Sequence, residues 1–190
     1  TLAYFRSQGV TLRVLSGDNA AAVSRVALQA GVENADRYLD LSGVGEDADW
    51  ADLARRYTVF GRVSPRQKQK LIAGTVIPYQ EKILNDEIPG IEKSHAVANF
   101  KIAAGLEQGE FYGMVFQDSD VAKWLEGVAY SLEQYPDKEL EDRADALIDI
   151  IEKAQQPDGY LNTFFTIKEP EHRWENLQEC HELYCAGHMM

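Results

Sequence analysis

The sequence predicts an α/β segment followed by a mainly α-helical one, and three observations carry that prediction. Residues 1–67 hold eight Arg and no Lys, whereas residues 68–190 hold nine Lys and two Arg. Residues 1–74 carry ten basic and eight acidic side chains and residues 75–190 carry nine and twenty-three, within a 190-residue chain of net charge −12. Short apolar runs alternate with helical patterns before residue 74, while helical periodicity prevails from Val76 onward. The expected domains are therefore 1–74 and 75–190.

The first segment opens with a strand over Thr11 to Leu15, a turn at Gly17-Asp18, and a helix over Ala20 to Ala30 whose inward face is Val23, Val26, Ala27 and Ala30. A helix from Glu46 to Arg56 and a strand from Tyr57 to Gly61 follow. Pro65 then suits the first turn of a helix running to Ile72. Alternating β and α elements imply a parallel sheet, here an incomplete one. In the second segment Val121 to Tyr135 reads as a helix with Asp120 as N-cap and Val121, Leu125, Val128 and Leu132 on one stripe, stopped by Pro136. Leu140 to Gln155 follows, with Leu140, Ala144, Leu147, Ile148 and Ile151 inward and a turn at Gln156-Pro157-Asp158-Gly159. Glu175 to Met190 reads as a third helix. Hairpins of such helices suit an α/α toroid or a bundle.

Composition excludes several function classes. No apolar run approaches the ~20 residues that span a bilayer, and no basic start with an apolar stretch reads as a signal peptide. The acidic balance, with no basic stripe in the acidic part, argues against nucleic acid. On a helix Cys180 and Cys185 would point about 140° apart, so reduced thiols and a cytoplasmic location are expected. The start at Thr1 and the end inside a helical pattern at Met190 read as the ends of a piece.

The segment Ser16-Gly17-Asp18, between a strand and a helix, sets a hydroxyl and backbone N–H groups beside a helix N-terminus, where a phosphate is favoured. Taken alone, it equally reads as a Gly-Asp turn. Its context is Val14-Leu15-Ser16-Gly17-Asp18-Asn19, then Ala30-Gly31-Val32, then Val59-Phe60-Gly61-Arg62-Val63-Ser64-Pro65-Arg66-Gln67-Lys68. Together these resemble the phosphorylation domain of P-type cation-transporting ATPases, of the haloacid-dehalogenase-like fold, over residues 1–72. The resemblance implies that Ser16, Gly17 and Asp18 contact phosphate and nucleotide and that Lys68 neutralises a phosphoryl group. The family's cofactors are magnesium and ATP. Its nucleophile motif Asp-Lys-Thr-Gly-Thr and its Gly-Asp-Gly-x-Asn-Asp loop do not occur here, so no phosphorylation is expected.

Four stretches of the acidic part share a second resemblance. They are Thr75-Val76-Ile77-Pro78-Tyr79-Gln80, Ser94-His95-Ala96-Val97-Ala98-Asn99-Phe100, Gly113 through Glu126, and Ala154-Gln155-Gln156-Pro157-Asp158-Gly159-Tyr160-Leu161. With Glu179-Cys180-His181-Glu182-Leu183-Tyr184-Cys185-Ala186-Gly187-His188 they resemble glycoside hydrolase family 127, the β-L-arabinofuranosidase-like enzymes. The implied fold is part of an α/α barrel. The implied chemistry is a retaining mechanism with a zinc-bound cysteine nucleophile and a glutamate acid/base, both in the later part of the family's chain. The resemblance gives His181 to substrate hydroxyls and makes a small sugar the ligand class.

His181-Glu182-Leu183-Tyr184-Cys185 imitates a zincin HExxH with its second histidine replaced, and His188 continues that face; the competing reading is a polar seam lining a barrel mouth. Asp118, Asp120, Glu126 and Asp158 invite a two-carboxylate glycosidase reading. Asp120 as a helix cap, Asp158 as a turn residue, and Gln117 and Trp124 as packing explain them with less. The sequence therefore predicts a hybrid, catalytically inactive by itself, with no complete catalytic set and no bound zinc, magnesium or ATP. A nucleotide-binding ATPase piece and a non-catalytic sugar-binding or scaffold module are the alternatives. Two segregated cores are expected. The last helix should turn His181 and His188 to the barrel lumen and bury Leu177 and Tyr184.

Overall fold

The computed structural model describes residues 2, 11–45 and 47–190 and forms two compact units, Thr1–Pro78 and Tyr79–Met190. The first is built on a three-stranded parallel sheet of β1 (Val14–Leu15), β2 (Tyr38–Asp40) and β3 (Val59–Gly61), in the order β1-β3-β2. Side chains alternate across a strand, so the central β3 feeds both faces. Phe60 packs with Leu41, Trp50, Ala54 and Leu71, while Val59 packs with Ala27, Val32 and Ala35. The strand expected from Thr11 shrinks to Val14–Leu15 because its one partner, β3, is three residues long. The strand expected from Tyr57 likewise starts at Val59.

Helix α1 (Ala20–Gln29) is capped by Asn19, whose Oδ1 accepts from the N–H groups of Ala21 and Ala22. Its buried face is Ala20, Ser24 and Ala27, whereas Val26 is 64% exposed. The expected apolar face is thus rotated. Ser24 can lie inside because its hydroxyl donates to the Ala35 carbonyl at 2.7 Å. Helix α2 (Trp50–Arg56) starts after Asp49, which accepts from Asp52 N–H and fixes a later start than the expected Glu46, a residue outside those described. Helix α3 (Pro65–Leu71) opens with a capping box between Ser64 and Gln67. Instead of stopping at Ile72, the backbone continues as a π-helical turn, Ile72–Val76, and then α4 (Ile77–Leu84). Pro78 has no N–H for an α-helical ladder, and the wider turn, closed by Ile77 N–H on the Ile72 carbonyl, accommodates it.

The second unit is mainly helical. Helix α5 (Ala96–Ala103) packs on α7 (Lys138–Ala154) and α8 (Thr163–Ile167), and α6 (Asp118–Gln134) packs on α7 and α9 (Glu182–Met189). Asp137 caps α7 by accepting from the N–H groups of Glu139 and Leu140. Leu140, Ala144 and Leu147 are buried as expected, but Ile148 is 49% exposed. Two expectations need correction. Helix α6 begins at Asp118, so Asp120 lies within its first turn, 3.7 Å from Lys123, and is not the cap. The last helix begins at Glu182 and not at Glu175, because His181 is left-handed (φ 54°) and ends the preceding loop. No helix among the described residues is long and apolar enough to cross a membrane.

Candidate functional site

In the first unit the loop after β1 and the loop after β3 meet at the carboxyl end of the sheet, where ligands of open α/β sheets gather. Val63 N–H donates to the Ser16 carbonyl at 3.0 Å and Arg62 N–H to the Asp18 carbonyl at 2.8 Å. Ser16, Gly17 and Asp18 form one closed turn: the Ser16 hydroxyl donates to Asp18 Oδ2 at 3.0 Å and accepts from Asp18 N–H at 3.2 Å. The hydroxyl thus faces its own loop, and the helix cap is Asn19. Lys68 takes no part in that turn and stands exposed on α3.

In the second unit His181 is exposed. Its ring meets Phe116 edge-on at 5.4 Å and Tyr184 at 6.2 Å, and Tyr184 meets His188 at 4.7 Å. Residues 181, 184 and 188 follow a helical period, so these rings share one outward face. Lys123 lies over the Tyr184 ring at 5.2 Å. The expectation that Leu177 and Tyr184 would be buried fails, with exposures of 45% and 46%. The inward residues are Glu182 and Cys185, one turn apart on the opposite face.

Glu182 is 2% exposed, and both its oxygens are committed. Oε1 accepts from the Tyr160 hydroxyl at 2.5 Å and Oε2 from Trp174 N–H at 2.8 Å. The Tyr160 ring sits edge-on to Trp174 at 5.2 Å and under the Arg173 guanidinium at 4.2 Å, and Arg173 pairs with Asp158 at 3.4 Å. Burial first, then the bond to Glu182, pushes the Tyr160 hydroxyl far up, so it stays a donor. This clamp ties the loop before His181 to the 157–160 turn. Asp158 is a turn residue as expected, accepting from Tyr160 N–H at 3.1 Å.

Asp118 is a second buried carboxylate, accepting from Thr163 N–H at 2.7 Å and Thr163 Oγ1 at 2.5 Å. Burial raises it to about 6 against the opposing effect of both Thr163 bonds. Burial pushes the Cys185 thiol up to about 12. Gln117 does hold structure together, accepting from Met114 N–H and donating to the Ser94 carbonyl, and Trp124 is buried. Glu126 is exposed.

The residues present do not fit a zinc ion. Glu182 is buried and turned to Tyr160 and Trp174, Cys185 is buried with its proton held tightly, and among the described residues no three His, Cys, Asp or Glu side chains converge on a metal position. Among the described residues no carboxylate set for magnesium stands beside Asp18 either. Sequence reasoning missed Tyr160, Thr163, Trp174 and the Tyr112 cleft. The one available signal was Glu182 three residues before Cys185, which placed a carboxylate on the helix's apolar face.

Beside His181 lies an open cleft of about 760 Å³ lined by residues 92–94 and 112–117, and Phe116 belongs to both.

Comparison with protein families matches residues 62–190 to the catalytic domain of GH127 β-L-arabinofuranosidases. A non-reducing end β-L-arabinofuranosidase of Bifidobacterium longum subsp. longum is 45% identical over 139 residues, 65% of this chain and 21% of that protein. The solved GH127 β-L-arabinofuranosidase from Geobacillus stearothermophilus T6 is 63% identical with a TM-score of 0.63, over 64% of this chain and 19% of that one. The chain thus spans about a fifth of the length of these relatives. A probable cation-transporting ATPase of Streptococcus pneumoniae serotype 4 is 43% identical over 72 residues, 38% of this chain and 9% of that protein.

Proposed function

From the premise that the chain belongs to the GH127 β-L-arabinofuranosidase family, we propose that residues 75–190 form a sugar-holding wall in which His181 hydrogen-bonds hydroxyls of a terminal β-L-arabinofuranose. The observation that carries this reading is the setting of His181. Its imidazole is exposed beside the Phe116 and Tyr184 rings, and its backbone is fixed by the adjacent Glu182 clamp. A sugar needs both kinds of surface, apolar for its C–H faces and a few aimed polar groups for its hydroxyls. Binding and orientation are the work assigned to these residues. No bond-breaking step is assigned to Cys180, Cys185 or Glu182: burial keeps the Cys185 thiol protonated and a poor nucleophile, desolvation likewise raises the half-buried Cys180 thiol, and Glu182 is buried with each oxygen already accepting a hydrogen bond from the fold.

Residues 1–74 are read as a piece of a P-type ATPase phosphorylation domain, with Ser16, Gly17 and Asp18 on the phosphate and nucleotide side and Lys68 as its counter-charge. The 43% identity to the streptococcal ATPase supports this part, and the change from Arg to Lys along the chain supports a joint near Ala73–Thr75. The GH127 match begins earlier, at residue 62. The two unbridged cysteines support a cytoplasmic setting.

The test is titration of the full chain with an aryl β-L-arabinofuranoside, with and without zinc. Binding that His181→Ala weakens by about tenfold is expected, worth roughly one good hydrogen bond to a sugar hydroxyl, with no aryl release above that control. Equal binding by both proteins overturns the role of His181, and release above the control overturns the reading as a binding wall.

A further inference from the structure

We propose that Tyr160 is a positioning residue for the sugar contact: through Glu182, its hydroxyl holds His181 in the left-handed conformation that presents the imidazole. The inference rests on His181 as that contact and adds the group that sets where it stands.

His181 is strained in its place. A residue with a side chain seldom takes a positive φ, and it keeps one where the surrounding structure over-determines it. His181 has φ 54°, and Trp174, in the loop before it, has φ 67°. Glu182 ties these two left-handed residues together, because it follows His181 directly and its Oε2 accepts from Trp174 N–H at 2.8 Å. The imidazole itself makes no cap bond to the helix that starts here. Yet the His181 carbonyl accepts from Cys185 N–H at 3.0 Å, so its backbone angle also sets the first turn of α9.

The fixed end of this run of bonds is Tyr160, whose hydroxyl reaches Glu182 Oε1 at 2.5 Å. Tyr160 has little freedom of its own. Its N–H donates to Asp158 Oδ1 at 3.1 Å, its carbonyl accepts from Gln156 N–H at 2.8 Å, and its ring packs with Phe164 and Phe165 under the Arg173 guanidinium. Both Tyr160 and Glu182 are buried. Without the hydroxyl, a buried carboxylate oxygen would lack its donor, a cost the loop relieves by letting Glu182 turn toward water and His181 turn with it. Fewer molecules would then present the imidazole, and apparent affinity falls by that fraction.

The experiment titrates the full chain with methyl β-L-arabinofuranoside as wild type, Tyr160→Phe, His181→Ala and the double variant. It also records the His181 imidazole signals by NMR without ligand. Tyr160→Phe keeps the ring in its apolar cluster, and unchanged His95 signals check that the variant is folded. Tyr160→Phe is expected to bind about fivefold more weakly, and the double variant no more weakly than His181→Ala. The His181 signal should move, since its ring lies against the Phe116 and Tyr184 rings and its shift follows its place between them. Wild-type affinity in Tyr160→Phe, beside a weakened His181→Ala, overturns the proposal. A loss that persists once the imidazole is gone also overturns it, because Tyr160 would then act on the fold alone. Should His181→Ala bind as the wild type does, the sugar reading fails; an unmoved signal then overturns the hold of Tyr160 on His181, and a moved one upholds it.

Discussion

Asp118 is a carboxylate whose burial outweighs two good hydrogen bonds, and that balance has a sign. Its ordinary value of 3.8 is raised to about 6 in the fold. Between those values the folded chain holds a proton that the unfolded chain has released, so stability falls as pH rises. The contribution is complete below about 3.8, lost as pH passes about 6, and on the order of 3 kcal/mol in all. Asp118→Asn cannot ionise and lacks this loss. We therefore expect the wild type to weaken relative to the variant by that order between about pH 3.5 and 7.5, read from urea midpoints. Parallel stability curves would contradict the assignment. At this scale the sequence was legible only in part. His181 was singled out because its neighbours Glu179 to His188 carry a family resemblance. The partners that fix it were not, since Glu182 finds Tyr160 twenty-two residues away through a loop with no periodicity. Asp118 was set aside as one acid among twenty-three in its segment, and nothing local marks which of these is buried.

Among the elements, the order strand, turn, helix was readable from apolar runs and cap residues, and the parallel sheet followed from it. Boundaries were less so, for a definite reason. Strand ends depend on the partner's length, and three-residue β3 leaves β1 only Val14–Leu15; β2, short and half-polar, carried no apolar run to announce it. Helix starts depend on caps the pattern does not single out, such as Asn19 in place of the Ser-Gly-Asp turn before it. The left-handed backbone at His181, which removes half of the expected last helix, leaves no mark in the hydrophobic pattern. One close approach between elements is testable directly. Gly61 closes β3 where α1 begins, and a Cβ there would collide with the backbone of Ala20. Backbone cannot swing aside as a side chain can, so Gly61→Ala should cost about 2–3 kcal/mol. Gly43→Ala, which meets open space, should stay within about 0.5 kcal/mol. Chemical denaturation of the two variants gives the comparison, and equal stabilities would show that β3 and α1 are less tightly apposed.

For the whole molecule, the family match through residue 190 and the 63% identity to the Geobacillus enzyme give the second unit its kin, while the first unit's reading rests on its own residues and a 72-residue likeness to an ATPase. The β1–β3 edge carries Ser16, Gly17 and Asp18, yet the Ser16 hydroxyl is spent on Asp18, so an incoming phosphate must displace that bond before it gains one. Nucleotide binding should therefore be weak, and phosphorylation absent, since the sequence has no Asp-Lys-Thr-Gly-Thr nucleophile. Two measurements separate these statements. Mass-spectrometric footprinting of lysine acylation should show Lys68 partly protected by millimolar magnesium ATP and the protection reduced in Ser16→Ala, because a counter-charge shields itself when a phosphate arrives. Incubation with γ-labelled ATP, followed by an acid quench, should leave no label that hydroxylamine releases. Lys68 reacting equally with and without nucleotide would remove the ATPase reading of residues 1–74. A hydroxylamine-labile phosphate abolished by Lys68→Ala would show instead that an aspartate of this chain serves as nucleophile outside the family's motif.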